Sequence, residues 1–514
     1  MRYLTVEDVA SVLKVKPKTA WKYVKSGKIP AFQIGGRWRV SETDLDAWIS
    51  QQKQATGFPQ LLLTTDGVAP PTGQQVAEHP LPFNGDSLRF VDLFAGCGGL
   101  SLGLHWAGLR GVFAAEYDQM AFDSLNFNLI EKKNVFPDWP IELPKKPLDV
   151  VKLATETEEI QMMANLHEQV DLLAGGPPCQ GFSVAGARNG LDERNSLFES
   201  FLSVTRVMNP PYVLIENVEG MDLAFVSRPR GTELSVAKQI EMYLRDDLGY
   251  HPFSDILDAA DYGVPQVRKR YFIFGIRKDL IDEDRAANFS LFERLKQIRT
   301  AFLNHKGLPI NQQVTVLDAL GDIATEGTIA CPDSPKFMAG TYNNHQSRYI
   351  ELMREGATLE HPDSHRYPNH GEDVLHRYMK IQAELGHGRV NRDFLRQNGT
   401  AKHRVVYLTP TEPAPTLTTS PDDFLHFNLP RIITVREMAR LQSFPDWFEF
   451  KGRYTINGPR RKYDRARVSQ AGNAVAPFLA EAIGYALRSI HADIRAAQRV
   501  QRIEGQANLN DQTA

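Results

Sequence analysis

The sequence predicts an α/β protein built on an open, mainly parallel sheet, and three stretches carry that expectation. Phe90-Val-Asp-Leu-Phe94 is a short apolar run broken by the turn Ala95-Gly-Cys-Gly-Gly99, and a helical pattern over residues 100–107 follows at once. Residues 111–115 form a second apolar run and end in an acid, Glu116. Residues 170–174 form a third, broken by Gly175-Gly176 and then stiffened by Pro177-Pro178. Ligands of open α/β sheets bind at the C-terminal edge of the strands, so these three strand ends mark one candidate site.

Composition sets the bounds. The chain has 514 residues, 42% hydrophobic and 24% charged, enough for two to four domains. No apolar run approaches the roughly 18 residues needed to span a bilayer, and the N-terminus lacks the apolar stretch of a signal peptide. No membrane partner is expected. Three scattered cysteines, Cys97, Cys179 and Cys331, form neither a disulfide framework nor a metal cluster. That usage suits a reducing cytoplasm and leaves a thiol free for chemistry. The net charge of −3 is not that of a nucleic-acid binder, but the basic residues are uneven. Residues 1–52 carry nine Lys/Arg against five Asp/Glu, and residues 451–470 carry seven against one. Local patches of this kind set the footprint on a phosphate backbone.

Taken in order, residues 1–52 read as a separate module. Thr5 and Asp8 open a first helix, and a second runs over residues 17–26 to a glycine stop at Gly27. Residues 31–34 and 38–40 flank Gly35-Gly36 as a hairpin, and Ser41 with Asp44 starts a last helix carrying Leu45 and Trp48. Helix, turn, basic helix and hairpin make a winged helix-turn-helix pattern, which resembles excisionase-type DNA-binding domains. Lys18, Trp21, Lys22 and Lys25 are the expected readers on the second helix, with Arg37 and Arg39 on the wing. Residues 53–86, rich in Gln, Thr, Gly and Pro without periodicity, read as a linker.

From residue 87 the sheet begins. Its glycine turn lacks the Lys-Ser/Thr of a phosphate-cradling loop, and Glu116 stands where an acid suits a ribose diol. A nucleoside without a polyphosphate is implied, a description that S-adenosyl-L-methionine fits. The Pro-Pro lead-in and flanking glycines set Cys179 apart from a small buried hydrophobe and make it a candidate nucleophile. A further strand over residues 211–215 ends in Glu216-Asn217-Val218, and Gln266-Val-Arg268-Lys-Arg270 runs into a strand over residues 271–275. Residues 478–498 read as a helix packing beside the first strand, and residues 499–514 as a disordered tail.

Phe-Ala-Gly-Cys-Gly-Gly, Gly-Pro-Pro-Cys-Gln-Gly-Phe-Ser, Glu-Asn-Val, Gln-Val-Arg-Lys-Arg, Arg-Glu-Met-Ala-Arg-Leu-Gln-Ser-Phe-Pro and Gly-Asn-Ala-Val-x-Pro occur in this order. Together they resemble the DNA cytosine-5 methyltransferases. The resemblance implies a Rossmann-like S-adenosylmethionine-dependent methyltransferase domain over 87–275 and 431–498. It places a smaller target-recognition domain at 276–430, where clusters such as Tyr342-Asn-Asn-His-Gln346 and residues 387–392 suit base-edge readers. It implies a cofactor pocket of Phe94, Gly96, Gly99, Glu116, Tyr117, Asp149, Pro178, Leu197, Asn473 and Ala474. It assigns covalent addition to cytosine C6 to Cys179, a hydrogen bond to N3 to Glu216, the holding of Glu216 and O2 to Arg270, and a phosphate contact to Arg268. The glycine-rich loop over 180–195, with Arg188 and Arg194, would close over a base flipped out of the duplex.

The expected partner is double-stranded DNA bound by a monomer, in a bacterial cytoplasm at the nucleoid; the enzyme is either the modification half of a restriction system, with a cognate restriction endonuclease as functional partner, or an orphan methylase. An RNA cytosine-5 methyltransferase and a non-catalytic DNA-binding regulator are the alternatives. The long variable region and the DNA-binding module speak against the first, and the intact set of Cys179, Glu216, Arg268 and Arg270 against the second.

Overall fold

The computed structural model describes residues 3–12, 21, 24–25, 29–34, 37–41, 45, 81, 87–178, 195–222, 225–227, 231–324, 328–400, 402–455 and 464–511. The chain folds as two compact units, Met1–Glu78 and His79–Ala514.

In the first unit, the Asp8 N–H donates to Thr5 Oγ1 at 3.1 Å and the Thr5 N–H to Asp8 Oδ2 at 2.8 Å. This reciprocal box starts the helix Val6–Val12. Strands β1 (Tyr3–Leu4), β2 (Phe32–Ile34) and β3 (Arg37–Ser41) form an antiparallel sheet in the order β1-β3-β2. Ile34 pairs with Arg37, the last register position of the β2–β3 hairpin strands. Leu4, Val9, Val24, Ile29, Val40 and Leu45 fill the small core.

The second unit holds a six-stranded sheet. Its parallel strands are β4 (Arg89–Leu93), β5 (Arg110–Ala115), β6 (Leu172–Gly175) and β7 (Tyr212–Val218). A hairpin of β8 (Phe225–Ser227) and β9 (Gly231–Glu233) follows, then β10 (Tyr250–Asp258), the short β11 (Gln266–Val267) and β12 (Lys269–Arg277). Sheet order is β10-β12-β7-β6-β4-β5, with β10 and β12 antiparallel to their neighbours. The apolar runs are continuous because both faces are covered, and alternate side chains enter opposite cores. Phe90, Ala114, Leu172, Leu214 and Phe272 face one core; Val91, Phe113, Leu173, Val213 and Ile273 face the other. Each large apolar side chain so buried stabilises the fold by about 1.5–3 kcal/mol.

The helices Gly99–Trp106, Leu291–Lys306 and Pro477–Asp511 pack together over the first face. Val150–Thr155, Asn195–Met208 and Val236–Asp246 cover the second.

Three expectations are corrected. Glu216, Asn217 and Val218 continue β7 rather than leaving it, because β12 pairs with β7 as far as Arg270 opposite Val218. The last helix packs on the helix Gly99–Trp106 rather than beside β4: the Arg488 side chain donates to the Ala107 carbonyl at 2.7 Å. It also runs through Asp511, so residues 499–511 are helical where the sequence suggested disorder. They are polar but contain no proline, and Gln, Arg, Glu and Ala propagate a helix well.

Residues 276–430 divide between two cores. Leu291, Phe302, Leu320, Tyr349 and Met353 join the large one, while Tyr378, Ile381, Val390, Leu395, Tyr407 and Leu425 form a small separate cluster.

Candidate active site

A cleft of about 570 Å³ opens at the C-terminal ends of β4, β5, β6 and β7. Its first wall is the glycine turn. Phe94 and Gly96 both have positive φ, 60° and 59°, so the chain turns sharply at the strand end; a Cβ at Gly96 would meet nothing within 4 Å. Glu116, at the end of β5, is pinned from two sides: the Gly96 N–H donates to Oε2 at 2.9 Å and the Asp118 N–H to Oε1 at 2.7 Å. Burial nevertheless raises its pKa. The Leu148 N–H donates to the Glu116 carbonyl at 2.8 Å, which brings Asp149 to the cleft. Asp149 caps the helix Val150–Thr155 through the Val151 N–H at 2.9 Å. Tyr117, 74% exposed, stands at the rim, and Leu197, Asn473 and Ala474 complete the lining.

The other end of the cleft is acidic and basic together. Glu216 projects from β7, and Arg270 of β12 approaches it, Nε to Oε1 at 3.1 Å. Burial raises the Glu216 pKa, and the charges of Arg270 and Arg268 only partly oppose that. Gly176 passes close by: a Cβ there would lie 3.0 Å from Glu216 Oε2. The Asn217 amide donates to the Pro177 carbonyl at 2.8 Å, fastening the Pro-Pro segment to β7. Pro178 lines the cleft; Cys179, Arg188 and Arg194 lie outside the described residues.

A sequence profile of the C-5 cytosine-specific DNA methylases matches residues 88–489. This chain belongs to that family. The methylase is 30% identical over 403 residues to the Type II methyltransferase M.Eco47II of Escherichia coli, covering 77% of each chain. It is 30% identical over 425 residues to M.XorII of Xanthomonas oryzae pv. oryzae (77% of this chain, 83% of that one). With M.DdeI of Desulfomicrobium norvegicum it shares 29% over 420 residues (77% and 87%). A crystal structure from E. coli, described as a prophage-encoded DNA modification methyltransferase, superposes with a TM-score of 0.53. It is 27% identical, with 79% of this chain and all of that one covered. The enzyme is a DNA cytosine-5 methyltransferase, and its family and fold imply use of S-adenosylmethionine. A helix-turn-helix profile matches residues 3–53.

Two expected roles in the methylase change with the geometry. Gly99 does not line the cleft: a Cβ there would fall 2.3 Å from the Val475 carbonyl oxygen, so it serves the close approach of the helix Gly99–Trp106 to residues 474–475. Arg268 lines the cleft but is 2% exposed, with one guanidinium N–H group donating to the Leu417 carbonyl at 3.4 Å and Nε without a partner among the described residues. It faces inward and cannot lie on a phosphate backbone. The cause is residues 414–418, where Ala414–Pro415 pairs with β11 and covers it.

Some expected base readers are engaged internally. The Tyr342 hydroxyl donates to Asp446 at 2.9 Å, the Asn343 amide to the Gly321 carbonyl at 2.9 Å, and His387 stacks on Tyr407 at 4.2 Å. Residue types that read bases also satisfy buried polar groups.

In the helix-turn-helix unit, Trp21 is exposed and carries the Lys25 ammonium 4.6 Å from its ring centroid; Arg39 donates to the Trp38 carbonyl at 3.0 Å. Lys18 and Lys22 lie outside the described residues, as does the side chain of Arg37.

Sequence reasoning missed Asp92, Asp118 and Arg465, all of which line the cleft. Asp92 had left a signal, an acid inside an apolar strand. Among the described residues no cluster of His, Cys, Asp and Glu is fit to hold a metal ion, and no helix is long and apolar enough to cross a membrane.

Proposed function

We propose that the methylase modifies C5 of a cytosine flipped out of a specific sequence in duplex DNA, through a covalent bond between Cys179 and C6. The observation that carries this reading is the buried Glu216–Arg270 pair, 3.1 Å apart, beside the Gly-Pro-Pro segment that leads into Cys179.

C5 of cytosine is a poor nucleophile because the ring is electron-poor. Addition of the Cys179 thiolate at C6 forms a C–S bond and pushes an electron pair toward N3, turning C5 into an enamine carbon. A free thiol with pKa about 8.5 is only a few per cent ionised at neutral pH, so attack depends on stabilising the adduct. Glu216 supplies that stabilisation by giving its proton to N3, and its raised pKa suits a carboxyl that carries one. Arg270 orients Glu216 and offers further N–H donors to O2; Arg268 lines the same cleft and its charge acts on Glu216. After methylation the C5 proton leaves and the C–S bond breaks, which restores the aromatic ring and frees Cys179. The reacting carbon lies inside the base stack of a duplex, so the base must swing out, at a cost of a few kcal/mol.

S-adenosylmethionine would be held by Phe94, Gly96, Glu116, Tyr117, Asp149, Pro178, Leu197, Asn473 and Ala474, and supplies an electrophilic methyl group when bound. The cleft suits it: the size fits a nucleoside, and the pinned Glu116 carboxylate keeps lone pairs for a ribose diol. The Type II names of the relatives support a place as the modification half of a restriction system, and the basic N-terminal unit supports a second contact to DNA.

Base-resolution bisulfite sequencing of DNA from cells expressing the wild type and Cys179→Ala tests the reading. Protected cytosines in one short motif, absent with the variant, are expected. Protection that persists in the variant, or none in either, refutes it.

A further inference from the structure

Residues 276–430 hold none of the six motifs, yet a turn within them reaches one wall of the cleft. That wall is the helix Arg467–Asn473, from which Ser469, Gln470 and Asn473 line the cleft. Its seven residues fall well short of the roughly 12–15 at which an isolated helix becomes even marginal. Its N-cap is Ala466, whose methyl group cannot accept from the first N–H groups. The Arg467 N–H donates instead to the Arg453 carbonyl at 2.9 Å. The direction of the helix is therefore set from outside, and the polar contacts gather on its first residue.

The Arg467 side chain, 11% exposed, lies 4.3 Å from the Tyr454 ring centroid and donates from Nε to the Gly452 carbonyl at 2.8 Å. Its Nη1 group meets Asp333 Oδ2 at 2.6 Å and donates to Ser364 Oγ at 3.2 Å. Asp333 Oδ1 accepts from the Tyr454 hydroxyl at 2.8 Å and from the Cys331 thiol at 3.2 Å. Asp333 is itself held, in the turn Cys331-Pro-Asp-Ser-Pro335 between the paired strands Thr328–Ala330 and Met338–Gly340. The Cys331 N–H donates to the Phe337 carbonyl at 2.8 Å, and the Arg366 guanidinium lies 4.2 Å from the Phe337 ring and 3.8 Å from Tyr454. Burial pushes the Asp333 carboxyl up, but the Tyr454 hydroxyl and the Arg467 charge outweigh it and keep the group ionised at neutral pH.

We infer that Asp333 is a positioning residue for the methyl donor: through Arg467 it fixes the helix Arg467–Asn473, and with it the affinity of the cleft for S-adenosylmethionine. This rests on the reading of the cleft as the cofactor site. The Asp333 side chain is 41% exposed, so the ion pair adds little to global stability, and its effect falls on the geometry of the wall it grips. The region expected to meet DNA thereby has a hold on the cofactor.

The test compares full-length wild type, Asp333→Ala, Arg467→Gln and the double variant. S-adenosylhomocysteine affinity is measured by calorimetry, kcat and KM by methylation of unmethylated plasmid DNA, and stability by the urea midpoint. Each single variant is expected to weaken S-adenosylhomocysteine and raise KM for S-adenosylmethionine by about three- to tenfold, with kcat and the KM for DNA within about twofold. The double variant should be no worse than the weaker single, because both changes break one link. Unchanged S-adenosylhomocysteine affinity in Asp333→Ala, or losses that add in the double variant, overturn the role. So does a lowered urea midpoint with a loss of kcat alone, which marks a merely structural pair. Should Arg467→Gln fail to fold, Asp333→Ala decides the matter alone. A wild-type protein that does not bind S-adenosylhomocysteine removes the cofactor reading itself, and this role with it.

Discussion

In the cleft, Glu216 meets one arginine at ion-pair distance, and burial still raises its pKa. In the helix Val435–Arg440, Glu437 is more deeply buried, its side chain 0% exposed against 12% for Glu216, yet its carboxyl is held far below the usual range. Burial pushes both upward; the partners differ. Arg431 grips both oxygens of Glu437, at 2.8 and 2.6 Å, the Thr434 N–H adds a third bond at 2.7 Å, and His426 lies 3.4 Å away. Arg440 is held in the same way between Asp446 and Asp322. The number of donors on a buried carboxylate, more than its burial, separates a fixed structural charge from a proton that can move.

The largest effect expected from this contrast is on stability. Arg440→Ala leaves Asp322 and Asp446 buried without their cation and should cost about 3–5 kcal/mol, read as a lowered urea midpoint. Glu216→Gln should instead leave the urea midpoint close to wild type and lower kcat/KM by about 10²–10³-fold, roughly 3–4 kcal/mol of transition-state stabilisation. Should Glu216→Gln be as unstable as Arg440→Ala, the distinction between the two carboxylates fails.

A pH titration sharpens the same point. Burial lowers His365 to about 4 and His426 to about 3, so both are neutral in the folded chain. The unfolded chain takes up those protons first as pH falls below about 6.5, its ordinary histidine pKa. Stability should therefore be complete above pH 6.5 and decline as pH falls toward 4, by up to about 3 kcal/mol for His365. Urea unfolding at pH 7, 5.5 and 4.5 measures the slope, and His365→Gln should flatten it. The Glu437 contribution is lost at still lower pH, as the medium passes below the unfolded glutamate value of about 4.5. The smallest effect is local: Gly176→Ala places a methyl group 3.0 Å from Glu216 Oε2 and should slow turnover by about tenfold, roughly 1.4 kcal/mol, without loss of cofactor affinity.

The sheet and the cofactor end of the cleft were legible because their signals are local. Apolar runs, glycine breaks and a terminal acid placed β4, β5 and β6 within a residue or two. The fates of charged residues were not legible. Arg268 was expected on a phosphate, yet it is buried and donates to the carbonyl of Leu417, far along the chain. Arg436 and Arg440 look like the outer stripe of a short helix, yet both are fully buried against Asp363, Asp322 and Asp446. A carboxylate 73 residues away (Asp363 from Arg436) or 118 away (Asp322 from Arg440) leaves no mark in a local pattern.

The contact between Cys97 Sγ and the Gln470 carbonyl, 3.7 Å, joins residues 373 positions apart. The glycine turn therefore gains its opposite wall only when nearly the whole chain has left the ribosome. The N-terminal unit, complete by Glu78, is free to fold long before that. A nascent chain released early would carry the helix-turn-helix without a finished cleft, so translation itself orders the two units in time.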